Sequence, residues 1–489
     1  MTLECINPVT HERIATLSVA SEKEIQAKIS LVKQGVEFWQ ALCLKERARY
    51  LSRVRKHLIS KMDEVMDIIM KETGKTDFDS FLEILTTSEI MRFVSKKGPF
   101  ILSPRKRKTG LLKSKRGSVQ YVPYGVVGII SPWNYPLILT GGPVVEALMA
   151  GNGVILKPSE YTPLTVLKMK EIFDESGFPS DLLQVVFGAG EVGRQIVNSP
   201  ETKLICFIGS VEVGRKIAVA CAEQLKPVIL ELGGKDPVIV LEDADLERAA
   251  RAVVWGGFHN AGQTCISVER VYVEESVAGP FIERVTELSH NVRWGPGETK
   301  RDIGSMTTDR QAEKVRLQIL DAKKKGAKIL LGEGDDSKSN GLYIQPTVVV
   351  DVDQTMEIMN EETFGPVIAI SKVRDANEAL EKANSLEFGL NASIFTGSGL
   401  KARKMANKIQ AGNICINDVL SNYFCPELPF GGVGASGLGR LQGIEGIRSF
   451  AQVQTVCEDR LGLKKELWWF PVSDMAKKVF RSLAKFRYG

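Results

Sequence analysis

Apolar positions along this chain follow two periods, and the change from one to the other divides it. After a short extended opening, the first hundred residues place apolar side chains at helical spacing. Ser21 precedes Glu24 as a capping box, and amphipathic runs continue through about Met70. From residue 126 short, nearly continuous apolar runs alternate with helical ones: Val126–Ile130, Gly153–Lys157, Leu183–Phe187, Leu204–Ile208 and Val228–Glu231, with Pro163–Glu175 a clear intervening helix. Strands apolar on both faces must be covered on both faces, so these runs predict a parallel sheet flanked by helices. A second alternation through Pro237–Leu241, Arg270–Val273, Ala327–Leu331, Val367–Ile370, Ala392–Phe395 and Gly412–Ile416 predicts a second unit of the same kind. The fold class is α/β, with two doubly wound parallel-sheet domains.

Composition narrows the function. A chain of 489 residues, 44% hydrophobic and 25% charged, has room for a large core and is neither disordered nor collagenous. Its net charge of +5 is too small to imply a nucleic-acid footprint. Eight cysteines without a Cys-x-x-Cys pair point to a reducing compartment and to no metal site. The opening Met1-Thr-Leu-Glu-Cys-Ile-Asn-Pro8 lacks the features of a secretory signal, so a cytoplasmic protein is expected. The uncharged stretch Gly117–Val145 is long enough to span a bilayer, but Pro123, Pro132, Pro136 and Pro143 break it, which predicts a buried strand-loop-helix passage.

Charge is concentrated locally. Arg105, Lys106, Arg107, Lys108, Lys113, Lys115 and Arg116 form a run whose ordinary reading is a solvated connector and whose alternative is contact with anionic lipid. The tail carries Leu467-Trp-Trp-Phe470-Pro and then a helix from the cap Ser473 to about Phe486. At about 100° per residue, Met475, Ala476, Val479, Phe480, Leu483 and Phe486 fall within about 140° of arc, opposite Lys477, Lys478, Arg481 and Lys485. Such a helix docks on protein or lies on a membrane surface.

Several residues are candidates for chemistry. Gly188-Ala-Gly190-Glu-Val-Gly193 is a literal dinucleotide fingerprint, with Glu212 near the spacing of a ribose-binding acid. A second strand-glycine-helix junction, Gly209-Ser210-Val-Glu-Val-Gly214, follows at once, and both cannot be primary. Cys265 in Gly-Gln-Thr-Cys is a nucleophile if a base activates it, and inert packing otherwise. Glu231, in Glu-Leu-Gly-Gly-Lys235, ends a strand where α/β sheets bind ligands. Asn134, in Ser131-Pro-Trp-Asn-Tyr-Pro136, is a stiffened amide suited to an oxyanion or to an ordinary turn.

In order along the chain stand Pro-Trp-Asn134, Lys157-Pro-Ser-Glu160, Gly209-Ser210 with Gly214, Glu231-Leu-Gly-Gly, Gly-Gln-Thr-Cys265, Glu362-Thr-Phe-Gly-Pro366 and Pro429-Phe-Gly-Gly432. This series resembles the aldehyde dehydrogenase superfamily, from Asn7-Pro to about Val456. The resemblance implies that Cys265 attacks an aldehyde, that Asn134 and the Cys265 amide hold the oxyanion, and that Glu231 activates water to release the acid. It implies a dinucleotide held by Lys157 and Glu160 at the adenosine ribose and by Gly209, Ser210 and Gly214 at the phosphates. Glu362 and Phe364 would hold the nicotinamide end, with Ser131, Trp133 and Leu232 beside it and Gly190 secondary near the adenine. Glu160 favours NAD over NADP, because a carboxylate repels a 2′-phosphate.

The resemblance also implies a Rossmann-like cofactor domain of residues 1–104 and 123–232, completed by 426–445, and a catalytic domain of 233–425. A β-strand oligomerisation flap and tail, 105–122 and 446–489, would build a homodimer or homotetramer. His11 stands where glycine is common, Ile208 where threonine is common and Gly434 where lysine often occurs. Small residues at Val433–Gly437 and apolar surroundings of Trp133 and Phe424 suggest a roomy entrance for a long-chain or aromatic aldehyde. Two rivals stay open: a catalytically silent binding homologue, and a cofactor-independent thiol esterase using Cys265 and His259. Retention of Cys265, Glu231 and Asn134 weighs against the first, and the lack of an acid partner for His259 against the second.

Overall fold

The chain opens with a hairpin, Thr2–Ile6 paired antiparallel with Arg13–Ser18, and His11 adopts φ 58° in its turn, which accounts for glycine being common there. Ser21 Oγ accepts from the Glu24 amide at 3.2 Å, capping the helix Glu22–Ala41 as expected. The Glu24 carboxylate pairs with Lys28. Helices Leu44–Ser60, Met62–Thr73 and Asp77–Leu102 follow. This computed structural model describes residues 1–296, 298–332 and 342–489 and separates into two units, Met1–Leu102 with Val122–Gln452, and Ser103–Tyr121 with Val453–Gly489.

The larger unit contains both expected sheets. In the first the strands run in the order Gly437–Leu438, Val228–Leu232, Thr202–Gly209, Val126–Ile130, Gly153–Lys157, Leu183–Val185, all parallel except the short edge strand Gly437–Leu438. The chain winds outward from Val126–Ile130 to Leu183–Val185 and then returns to the other side at Thr202–Gly209. The reversal opens a crevice at the carboxyl ends of Val126–Ile130 and Thr202–Gly209, where such sheets bind ligands.

The second sheet has the order Lys328–Leu331, Thr347–Val350, Val367–Val373, Arg270–Glu274, Pro237–Val240, Asn391–Phe395, Asn413–Ile416. Alternate residues enter opposite cores: Val238, Val271, Val348 and Ile368 on one face, Ile239, Tyr272, Val349 and Ala369 on the other. That double burial is why the strands read as continuous apolar runs. Two features differ from the sequence reading. Thr347–Val350 is an additional strand, and Lys328–Leu331 pairs with it antiparallel at the sheet edge.

A buried ion pair fastens segments from distant parts of this unit. Lys235 Nζ donates to Glu269 Oε2 at 2.6 Å and to Thr363 Oγ1 at 2.8 Å. The Glu269 carboxylate in turn accepts from the Thr363 amide at 2.9 Å and the Phe364 amide at 2.9 Å. Arg270, next along, donates from Nε to the Lys235 carbonyl at 2.8 Å. The segment after Glu231, the segment after Cys265 and the loop 362–364 therefore share one charge-assisted network shielded from water.

The smaller unit is a three-stranded sheet, in the order Ala451–Asp459, Lys115–Pro123, Arg105–Arg107, followed by the helix Asp474–Tyr488. Lys115 bonds Asp459 at 2.8 Å and also Glu466, and the Arg460 amide donates to the Ser114 carbonyl at 3.0 Å. The edge strand Ala451–Asp459 is exposed from Gln452 onward. Among the described residues no helix is long and apolar enough to cross a membrane.

Removing one partner of a buried pair strands the other. Lys235→Met should cost roughly 3–5 kcal/mol of stability in urea unfolding, whereas Lys235→Met with Glu269→Met should recover much of it. Equal loss in single and double variants would show that the pair itself is not what ties these segments.

Candidate active site

Asn134 lies in the turn after the strand Val126–Ile130, stiffened by Pro132 and Pro136. Its Nδ2 donates to the Gln263 carbonyl at 3.0 Å, and Asn260 Nδ2 donates to the Asn134 carbonyl at 3.2 Å. A primary amide carries two N–H groups, so a second donor remains after the Gln263 bond. The Cys265 loop is thereby bound to the Asn134 turn. That loop leaves the helix Leu246–Phe258 through Asn260, Ala261 and Gly262, at φ 53°, 54° and 70°. A Cβ at Gly262 would lie 2.1 Å from the Gly365 carbonyl oxygen, so only glycine fits this crossing. Gln263 is held in turn, its Oε1 accepting from the Thr307 amide at 2.8 Å.

Glu231 projects from the strand Val228–Leu232, and its carboxyl group faces the Cys265 thiol. Burial raises the Glu231 carboxyl to about 8, with Glu362 adding to the rise and Cys265 opposing it. One of its oxygens has no hydrogen-bond partner. Burial likewise pushes the Cys265 thiol well up, helped by the negative charge of Glu231 and Asp236. Both shifts favour the protonated forms, and Glu231 is placed to take the thiol proton.

The expected cofactor residues surround the crevice. Lys157 Nζ lies 3.3 Å from Glu160 Oε2, and burial lowers the lysine's proton affinity. Ser210 caps the helix Val211–Glu223, accepting from the Val213 amide at 3.4 Å, so Gly209-Ser210 precedes a helix N-terminus. A Cβ at Gly214 would lie 2.5 Å from Leu232, so this glycine lets the helix lie against the strand. The Gly234 amide donates to Glu362 Oε1 at 3.3 Å, and burial raises the Glu362 carboxyl to about 7. Phe364, at φ 54°, meets Trp133 edge to face, 5.5 Å between centroids. Ser131 Oγ accepts from Thr140 at 2.7 Å at the crevice wall. Hydroxyl-accepting carboxylates, an N-terminal helix end and aromatic faces together fit a dinucleotide.

Two sequence readings change. Glu212, at the spacing of a ribose-binding acid after the literal fingerprint, is exposed and paired with Lys216 at 2.6 Å, while the helix Gly190–Asn198 starts beside the crevice, a Cβ at Gly193 lying 3.5 Å from Ile130 and 3.6 Å from Lys157. Val433–Gly437 lies apart from the thiol's cavity. Ser436 Oγ donates to the Gly233 carbonyl at 2.8 Å and Gly437 pairs with Glu231, so this stretch braces the acid's strand.

Beside Cys265 opens a narrow pocket of about 50 Å³, lined by Leu82, Thr86, Tyr135, Ile138, Leu139, Ile266, Leu420, Tyr423 and Phe424, with Asp79, Glu83, His259 and Thr264. His259 does have an acid partner: Nδ1 is 3.0 Å from Asp79 Oδ1. Glu83 is satisfied by Lys75 at 2.5 Å and by the Leu137 amide at 2.7 Å. Sequence reasoning missed Asp79, Glu83, Lys235 and Glu269. Acidic residues in a helical run were the available signal for the first two, and the lysine closing Glu-Leu-Gly-Gly-Lys for the third.

The match of the chain to the model of the aldehyde dehydrogenase family covers residues 1–456. It is 35% identical over 494 residues to the 4,4'-diapolycopene aldehyde oxidase of a Methylomonas species, covering 100% of this chain and 92% of that protein. A putative NADP-linked succinate-semialdehyde dehydrogenase of Mycolicibacterium smegmatis is 36% identical over 481 residues, covering 96% and 92%. The crystal structure of an NAD-dependent aldehyde dehydrogenase from Sinorhizobium meliloti superposes with TM-score 0.91 at 33% identity, covering 96% of this chain and 93% of that one. An amide, a thiol and an acid gathered beside a dinucleotide crevice accord with these matches, and the chain belongs to the aldehyde dehydrogenase family.

Proposed function

We propose that this enzyme oxidises an apolar aldehyde to its carboxylic acid at Cys265, prefers NAD to NADP, and works as a homo-oligomer peripheral to a membrane. The observation that carries the chemistry is the facing of the Cys265 thiol and the Glu231 carboxyl beside the Asn134 amide. Glu231 takes the thiol proton, and the sulfur adds to the carbonyl carbon. The electron pair displaced onto oxygen is met by the free Asn134 N–H and the Cys265 backbone N–H. A bound oxidised nicotinamide would supply acceptance of one hydride, leaving an acyl thioester on Cys265. Glu231 releases the thiol's proton to solvent and then deprotonates a water, whose oxygen adds to the thioester and expels the sulfur. Lys157, Gly209, Ser210, Gly214, Glu362 and Phe364 would hold and orient the dinucleotide.

The lining supports an apolar substrate. Succinate semialdehyde carries a distal carboxylate, which would need a cation, but the pocket walls offer the acids Asp79 and Glu83 and no lysine or arginine among the described residues. The name of the Methylomonas relative, an oxidase of 4,4'-diapolycopene aldehyde, agrees with this choice. Glu160 supports NAD, since its charge opposes a 2′-phosphate. The exposed edge strand Ala451–Asp459 supports assembly through sheet extension.

A panel of aldehydes with NAD and NADP tests the reading. Long-chain or aromatic aldehydes should give NADH with kcat/KM at least about tenfold above succinate semialdehyde, equivalent to about 1.4 kcal/mol. Ester hydrolysis without NAD, or no turnover, would instead support the esterase or the silent homologue.

Protonation sets a second expectation. Because Glu231 is raised to about 8 and must be deprotonated to act, kcat/KM should rise as pH increases through about 8. Glu231→Gln should abolish that limb, and Asn134→Ala should lower kcat about 10²–10³-fold at every pH. A pH profile unchanged by Glu231→Gln would remove the acid from the mechanism.

A further inference from the structure

The smaller unit carries charge out of proportion to its size. Residues 103–121 and 453–489 contain fifteen lysines and arginines against four acids, a formal +11, while the whole chain is +5 and the remainder therefore −6. The same unit exposes a continuous series of large apolar side chains. In the helix Asp474–Tyr488 only Ala476 is buried, and Met475, Val479, Leu483 and Phe486 are open to solvent on one side. Just before it, Phe470 is 93% exposed and Trp469 about half exposed. Lys477, Lys478, Arg481 and Lys485 occupy the opposite side of the helix.

We infer that this unit docks the enzyme on an anionic lipid bilayer, the helix lying in the interface with Phe486, Met475 and Val479 among the acyl chains and its basic side at the headgroups. This rests on the peripheral part of the proposed function and not on the chemistry at Cys265. Charge complementarity selects the occupant. A second copy of the helix packed by two-fold symmetry through the apolar side would cover that side but give the basic side no anionic partner. A nucleic acid would meet the cations but leave the aromatic and aliphatic series without a partner. Anionic lipid satisfies both sides of the helix, and exposed aromatic residues such as Trp469 suit the boundary between headgroup and chain.

Flotation of the full chain with phosphatidylglycerol–phosphatidylcholine vesicles, with pure phosphatidylcholine vesicles as comparison, tests this. The chain should float with the anionic vesicles and largely fail to do so with neutral ones. The variants Lys477→Glu/Lys478→Glu/Arg481→Glu/Lys485→Glu and Val479→Glu/Leu483→Glu should each lower binding by roughly tenfold or more. Both should keep wild-type turnover of a water-soluble aldehyde and an unchanged sedimentation coefficient, which separates loss of docking from failure of the catalytic reading. Equal flotation by variants and wild type would overturn the inference. So would wild type that binds duplex DNA but not anionic vesicles, or apolar variants that lose their assembly, which would make this helix a subunit contact.

Discussion

The buried contact between Lys235 and Glu269 is the joint on which the candidate site depends. Lys235 lies four residues after Glu231, and Glu269 four residues after Cys265, so one ion pair sets the spacing of the acid and the thiol. Glu269 also accepts the amides of Thr363 and Phe364, which fixes the loop carrying Glu362. Charges this deep in a protein cost several kcal/mol to desolvate and persist only when closely paired. Here pairing and hydrogen bonding satisfy the ions and three loops acquire a common reference.

That rigidity has an electrostatic consequence. The same exclusion of water that strengthens the Lys235–Glu269 pair raises the proton affinity of Glu231 and Cys265, neither of which has a cationic partner comparable to Lys235. A carboxyl group raised to about 8 is a stronger base, once ionised, than an exposed glutamate, and is thus suited to accept a proton from a thiol and then from water. Asn134, tied to the Gln263 carbonyl, places its remaining donor without having to reorganise.

Much of the fold was legible in the sequence because doubly covered strands leave uninterrupted apolar runs. The runs at Val126–Ile130 and Gly153–Lys157 coincide with strands, and Pro163–Glu175 with a helix opened by its proline. Strand direction was not legible. Lys328–Leu331 has the composition of its neighbours, and its antiparallel pairing follows from its place at the edge. The motif residues were legible one by one, but the pairs that position them join residues far apart: Asp79 with His259, and Glu269 with Thr363. The Gly188–Gly193 triplet was not decisive by itself because its glycines serve any tight strand-to-helix turn and a second such junction follows at Gly209–Gly214.

The central claim is that carbon bonds to sulfur at position 265 and that Glu231 is needed to release it. Glu231→Gln mixed with an aldehyde and NAD, quenched in acid and digested, permits peptide mass spectrometry of that bond. The account predicts an acyl group on the Cys265 peptide, forming slowly without the acid to take the thiol proton but accumulating to near one per site with a matching amount of NADH. An unmodified Cys265 peptide in protein that has nonetheless produced NADH would contradict it.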